Sequence, residues 1–203
     1  SSALAVSDEV APFVAAQQDE PVSGDEVEEP GDVMTHEISV TVPGQQSAIF
    51  AKPRLQTIAS AMLRVRLAHS GETNRRDMVA LQRGTGMVVD YRPMRVGAGN
   101  DRGFHAVLRA GLAHGNTDSD HALEEFLRAA EPPAHQDWTY KTERIKAGFH
   151  SGYKKALDSL FAAIDQAVRD LTREEPIESD EAPDALRKLF PLKGYGETIH
   201  TET

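Results

Sequence analysis

Eleven basic residues crowd the stretch from Lys52 to Arg109, opposed only by Glu72, Asp77, Asp90 and Asp101, a local balance of +7. Arginine at this density suits the recognition of phosphate or of an acidic partner. The candidate binding residues are Arg64, Arg66, Arg75, Arg76, Arg83, Arg92 and Arg95. The plainer reading is that these charges pair with the acidic half of the chain or with its acidic N-terminus, because charge runs are usually solvated faces. Tyr91 and Phe104 are the only aromatics between Ala51 and Ala110, fewer than a base-stacking surface calls for.

Gly97-Ala-Gly99-Asn-Asp-Arg-Gly103 invites comparison with a phosphate-cradling loop. Its spacing is GxGxxxG, and it leads into a strand where that fingerprint needs a helix N-terminus. A plain loop is the simpler account. Eight histidines are spread along the chain, none spaced i, i+4 from another, so no metal site is expected. His69, Ser70 and His105 supply the residue types of a small hydrolase, but neighbours in sequence form no triad unless the fold gathers them. No GxSxG elbow is present, and nothing calls for a cofactor. The most distinctive string is Glu131-Pro132-Pro133-Ala-His135-Gln-Asp-Trp138, which holds the only tryptophan. Two prolines bar helix continuation. The string reads as a helix–helix corner and, since Trp and His serve well at interfaces, also as a docking corner.

These residues must be carried by elements of two kinds. Ile38, Val40 and Val42 alternate with Glu37, Ser39 and Thr41, a half-buried strand over His36–Pro43. Leu63, Val65 and Leu67 alternate with Arg64 and Arg66; the preceding Gln56–Ala61 reads equally as a short helix or as part of the same strand. Met78–Gln82 and Met87–Tyr91 flank Arg83-Gly84-Thr85-Gly86, a tight hairpin. Phe104–Ala110 suits a fully buried strand. After that the period changes. A helix capped by Asp118 or Ser119 places Ala122, Leu123, Phe126, Leu127 and Ala130 on one side. A long helix is then predicted over 139–172, with a stripe of Ile145, Phe149, Tyr153, Leu157, Leu160, Phe161, Ile164, Val168 and Leu171. A 34-residue helix spans about 50 Å, which admits packing in trans and so a homo-oligomer. An acidic linker over 174–181 and a short helical turn over 184–190 close the sequence. Strands first and helices afterwards argue an α+β domain, a small mixed or antiparallel sheet followed by a long C-terminal helix.

The ends look different from the middle. Residues 1–35 carry nine acids, no Lys or Arg and a single aromatic, Phe13. Such a stretch offers too little apolar surface to offset chain entropy. It is expected as a disordered acidic tail, with the α+β domain over 36–172 and a looser acidic segment over 173–203. It reads either as a linker or as an intramolecular mimic of nucleic acid lying over the arginines. With no cysteine in 203 residues, disulfides and thiolate chemistry are excluded. No apolar run approaches the length that spans a bilayer. A cytoplasmic location without a membrane role is the expectation.

Arg83-Gly-Thr-Gly-Met-Val-Val-Asp-Tyr91, Phe104-His-Ala-Val-Leu108 and the Glu-Pro-Pro-x-His-x-x-Trp corner, in this order, resemble the region after the nucleotide-binding domain in bacterial GHKL (Hsp90/MORC-like) ATPases. The resemblance covers Met78 to Leu171. It implies an α+β transducer that passes an ATP state to partners, in a defence or DNA-linked setting. The ATP-binding half of that family is absent from this sequence, so the implied role is non-catalytic. The family's transducer supplies a lysine to the γ-phosphate, and Lys52 is the only lysine in the β-rich part here. The leading expectation is therefore a transducer or interaction module whose partner is another protein or another domain of the same protein. The alternatives are a nucleic-acid-associated domain and a small hydrolase.

Overall fold

A computed structural model of the chain describes residues 7–22, 29–94, 102–134 and 137–173. Alternation governs its β-part. Strand β1 (Val33–Val42) buries Ile38, Val40 and Val42 and exposes Glu37, Ser39 and Thr41. It begins three residues before the predicted strand, inside the stretch assigned to the tail. Strand β2 (Thr57–Leu67) absorbs most of the Gln56–Ala61 segment, because residues 57–61 pair in register with Val42 to Ile38 of β1. Strands β3 (Met78–Arg83) and β4 (Met87–Pro93) form the expected hairpin. Gly84 (φ +60) and Gly86 (φ +95) supply its turn, in a backbone region that disfavours side chains. Strand β5 is Phe104–Arg109.

The five strands lie in the order β1-β2-β5-β3-β4, and only the β3–β5 pair is parallel. The fold is α+β, a mixed sheet followed by helices. One face of the sheet carries the main core. Leu63, Val65, Leu81, Phe104 and Leu108 pack against Leu123, Phe126 and Leu127 of α2 (Asp118–Ala130) and Leu157, Leu160, Ile164 and Val168 of α4 (Tyr153–Thr172). Helix α2 is capped one residue earlier than predicted. Thr117 accepts from Asp120 N at 3.2 Å, and Asp120 reaches back to Thr117 N at 2.8 Å, a reciprocal cap.

The predicted 34-residue helix is two helices. A short α3 (Glu143–Gly148) precedes α4, with Phe149 extended and Gly152 at φ +112 between them. Competing backbone bonds explain the break. Gln46 N donates to Gly148 O (2.8 Å), His150 N donates to Gly44 O (2.8 Å), and Gln45 bridges Phe149. Phe149 meanwhile inserts between Phe50 and Phe126, with ring centroids at 5.7 and 5.2 Å. The apolar spacing is real, but its N-terminal members reach the core from a connection. Helix α4 spans about 30 Å, and its stripe is spent on the sheet, so the length argument for packing in trans falls away. No described helix is long and apolar enough to cross a membrane.

The expected tail also contains structure. Helix α1 (Ala11–Gln18) lies on the sheet's second face and buries Pro12, Phe13 and Ala16. Phe13 and Ala16 pack with Ala80 and Val107 there. An acidic, proline-bearing stretch becomes helical here because the sheet supplies the apolar surface it lacks, a tertiary contact overriding weak local preference. The segment 174–203, with the predicted linker and short helical turn, lies outside the described residues, as do Arg95 and most of the glycine loop.

Candidate functional site

Among the described residues, the ion pairs with both side chains buried gather where β3 ends. Arg83, on the core-side face, directs Nη1 to Glu124 Oε1 of α2 (3.1 Å) and Nε to Glu131 Oε2. Glu124 and Glu131 stand seven residues apart, two turns along one side of α2 and its end. Glu124 Oε2 also accepts from Gly84 N (2.9 Å) and Leu112 N (3.3 Å). One carboxylate thereby ties together the hairpin turn, the 3₁₀ turn at Gly111–Ala113 and α2. Burial alone would lower the Arg83 pKa, but Glu131 and Glu124 outweigh it and hold it above its usual value.

The corner is built on this lock. Thr139 N donates to Ala130 O (2.8 Å) and Thr142 Oγ1 to Ala129 O (2.5 Å), so two of the last carbonyls of α2 are satisfied by the returning chain. Thr142 also caps α3 through Ile145 N (3.2 Å). Trp138 is buried in the main core, 1% exposed. The corner therefore has the helix–helix role read from its prolines. Beside it opens a groove of about 700 Å³ lined by Arg83, Arg128, Glu131, Pro132, Pro133, Thr139, Lys141, Thr142, Glu143 and Arg144. Its walls are the proline rings and the stems of long side chains. Arg128, Lys141 and Arg144 stand exposed at its rim and make no ion pair with a described residue. Glu143 is turned to Lys146 (2.8 Å).

The predicted arginines do not form one patch. Arg83 and Arg92 are on the helix side, the latter 4.3 Å over the Phe161 ring and 4.0 Å from Asp165. Arg64 and Arg66 are on the second face. Arg64 donates to the α1 carbonyls of Ala16 (2.7 Å) and Asp19, and Arg66 pairs with Glu72 at 2.8 Å. Arg75 pairs with Glu9 at 3.6 Å and lies 4.1 Å over Tyr91. Arg76 lies beside Asp77 at 3.9 Å. Arg83 and Arg92 thus meet acids of the helices, Arg64 and Arg75 meet the N-terminal segment, and Arg66 and Arg76 meet acids of the basic stretch itself.

Of the docking corner, Glu131, Pro132 and Pro133 line the groove, Trp138 supports it from the core, and His135 lies outside the described residues. Lys52 is exposed on the β1–β2 connection and lines no part of the groove. His69 and Ser70 are exposed, whereas His105 is fully buried with Nε2 3.0 Å from Asn74 O, and no hydrogen bond among the described residues joins the three. Among the described residues no group of three or more His, Asp or Glu could hold a metal ion.

Sequence reading missed Glu124, Arg128, Lys141, Thr142 and Arg144. A signal existed for the first: an acid on the buried side of an amphipathic helix, seven before Glu131, asks for a buried cation. The rim cations carry no such signal, since single exposed charges on helix ends are ordinary.

No family model matches this chain, and neither a curated protein nor a solved structure is significantly similar to it.

Proposed function

We propose that this domain is a non-catalytic interaction module that grips an acidic segment, from a partner protein or from another domain of the same protein, in the groove beside the Glu131-Pro132-Pro133 corner. The observation that carries this reading is the contrast inside the groove. Arg83 is consumed by two buried carboxylates, while Arg128, Lys141 and Arg144 converge on the same opening without a described ion-pair partner. An acidic side chain entering there meets charge at the rim and apolar stems on the walls, and exposed rim cations of this kind set partner choice and encounter rate. The GHKL-like transducer role fits the same site. Arg83 opens the first resembling string and Glu131 the third, and their ion pair would couple the hairpin to the corner. In that role the groove would receive an element of a larger bacterial ATPase-type assembly.

Binding of a fluorescein-labelled acidic peptide, read by anisotropy and by Trp138 emission, tests the proposal. The native chain should bind, and the triple charge reversal Arg128→Glu/Lys141→Glu/Arg144→Glu should weaken binding at least tenfold without lowering the melting temperature. Equal binding by the native and reversed proteins would remove the groove from consideration.

A further inference from the structure

The sheet's second face is built from different chemistry. Alternation sets Arg64 and Arg66 of β2, His105, Val107 and Arg109 of β5, and Met78, Ala80 and Gln82 of β3 on the side away from α2 and α4. Tyr91 of β4 joins them opposite Ala80. Several of these groups are poorly satisfied. Arg66 Nε, Arg109 Nε and His105 Nδ1 are buried without a hydrogen-bond partner among the described residues. Arg109 sits diagonally beside Arg64, and after burial its charge is the largest influence lowering the Arg64 pKa. Arg109, with a buried donor left over, stands beside a second arginine, and like charges set side by side are the arrangement an anion would relieve.

Helix α1 covers this surface, and its contacts follow a pattern. The Phe13 ring meets Tyr91 edge-on at 5.0 Å and His105 at 5.2 Å. On either side of Phe13 in the sequence, oxygen atoms meet arginines: Ala16 O and Asp19 O on Arg64, and Glu9 Oε2 on Arg75. One planar ring with negatively polarised oxygens on arginines is what a stretch of single-stranded nucleic acid presents, a base between phosphates. The anchor is small, since Phe13 and Ala16 are the only α1 members of this cluster.

We propose that the second face binds single-stranded nucleic acid and that α1 occupies it as an intramolecular stand-in, with Phe13 in the place of a base and the oxygens of Ala16, Asp19 and Glu9 in the places of phosphates. This site is separate from the groove, so the module has two binding surfaces on opposite faces. The rings favour nucleic acid over an acidic peptide, because a carboxylate chain has no use for Tyr91 and His105.

The test uses the full chain and fluorescein-labelled oligo-dT and oligo-U of about 16 nucleotides, titrated by anisotropy over a salt series. The native chain should bind weakly. Phe13→Ser, which releases the ring, should bind at least tenfold more tightly, with an affinity that falls steeply as salt rises. Arg64→Gln/Arg109→Gln in that background should lose at least tenfold. No binding by Phe13→Ser at low salt, or binding indifferent to Arg64 and Arg109, overturns the proposal. So does tighter binding of poly-glutamate than of either oligonucleotide, which would make the face a peptide site. Hydrogen exchange on the unmutated chain gives an independent readout should Phe13→Ser fold poorly. Saturating oligonucleotide should deprotect residues 11–18 alone, and unchanged protection there refutes displacement.

Discussion

Replacing Arg83 by Met should be among the most damaging single changes outside the apolar core. The substitution keeps most of the side-chain volume, so little cavity is created, and what is lost is charge. It leaves the Glu131 side chain, 2% exposed, and the Glu124 side chain, 7% exposed, without their shared cation. Removing one partner of a buried pair costs about 3–5 kcal/mol. Glu124 keeps its bonds from Gly84 N and Leu112 N, so the lower part of that range applies, about 3–4 kcal/mol. For a domain of this size each kcal/mol moves the melting temperature by roughly 2–4 °C, so a fall of about 10 °C is expected. Glu131→Gln leaves Arg83 with Glu124 and should cost less, about 1.5–3 kcal/mol, the value of a charged hydrogen bond. Urea unfolding followed by Trp138 fluorescence and far-UV circular dichroism measures both. Arg83→Met/Glu131→Gln should lose less than the two single changes added together, with a coupling above about 1 kcal/mol. Additive effects, or a loss below about 1 kcal/mol for Arg83→Met, would show that water screens these groups and that the lock is a surface ion pair.

Gly111→Ala should cost at least about 2 kcal/mol in urea unfolding, because Gly111 has φ +57 and a Cβ there would lie 2.9 Å from Glu124 Cα, a backbone atom that cannot swing aside. Burial holds the His105 pKa below its ordinary value, so the folded state resists protonation of that ring. The stability this gives is complete above the ordinary histidine pKa near 6.5 and is lost as pH falls below it, by at most about 1.4 kcal/mol per pH unit; His105→Phe should flatten a melting-temperature profile between about pH 7 and pH 5. Burial would raise the Asp120 pKa, but bonds from Thr117 and His114 hold it below the usual carboxylate value. Its contribution is present above the ordinary carboxylate pKa near 4 and disappears as pH falls through its lower folded value, so Asp120→Asn should weaken the protein by about 1 kcal/mol at neutral pH and less in acid.

Where period and burial coincide, the sequence was legible. The alternation at Ile38–Val42 and Leu63–Leu67, the glycine-bounded hairpin and the stripe from Leu157 to Val168 became β1, β2, β3–β4 and α4. The run from Ile145 to Tyr153 kept the helical spacing and misled, because the Gln45–Phe149 bridge takes backbone groups that a continuous helix needs. Nothing local announces that bridge, which joins residues about a hundred positions apart. Helix α1 was illegible for a different reason. Val10, Ala11, Phe13, Val14, Ala15 and Ala16 leave no polar stripe to contrast with an apolar one, and only the sheet selects which side is buried. The arginines were visible as a cluster, but strand alternation deals them to opposite faces, so a linear count cannot divide Arg83 and Arg92 from Arg64 and Arg66. The groove needed α2, α3 and the β3–β4 turn in place, and its rim cations come from outside the basic stretch.

Among the described residues, the strand made last is the one at the middle. β1–β2 and β3–β4 are antiparallel pairs of sequence neighbours, and β5 is the strand that joins them. While the chain is being synthesised, each hairpin therefore holds an open inner edge until residues 104–109 arrive. Closing them requires loops of 27 residues from Met78 to His105 and 37 from Leu67 to Phe104, and non-local closures of this kind slow folding. Unpaired edges are templates for any other strand that passes. The arrival of β5 is thus the event that commits the chain to its own sheet, and crowding of nascent chains before that moment is where this fold is most exposed to pairing with a neighbour.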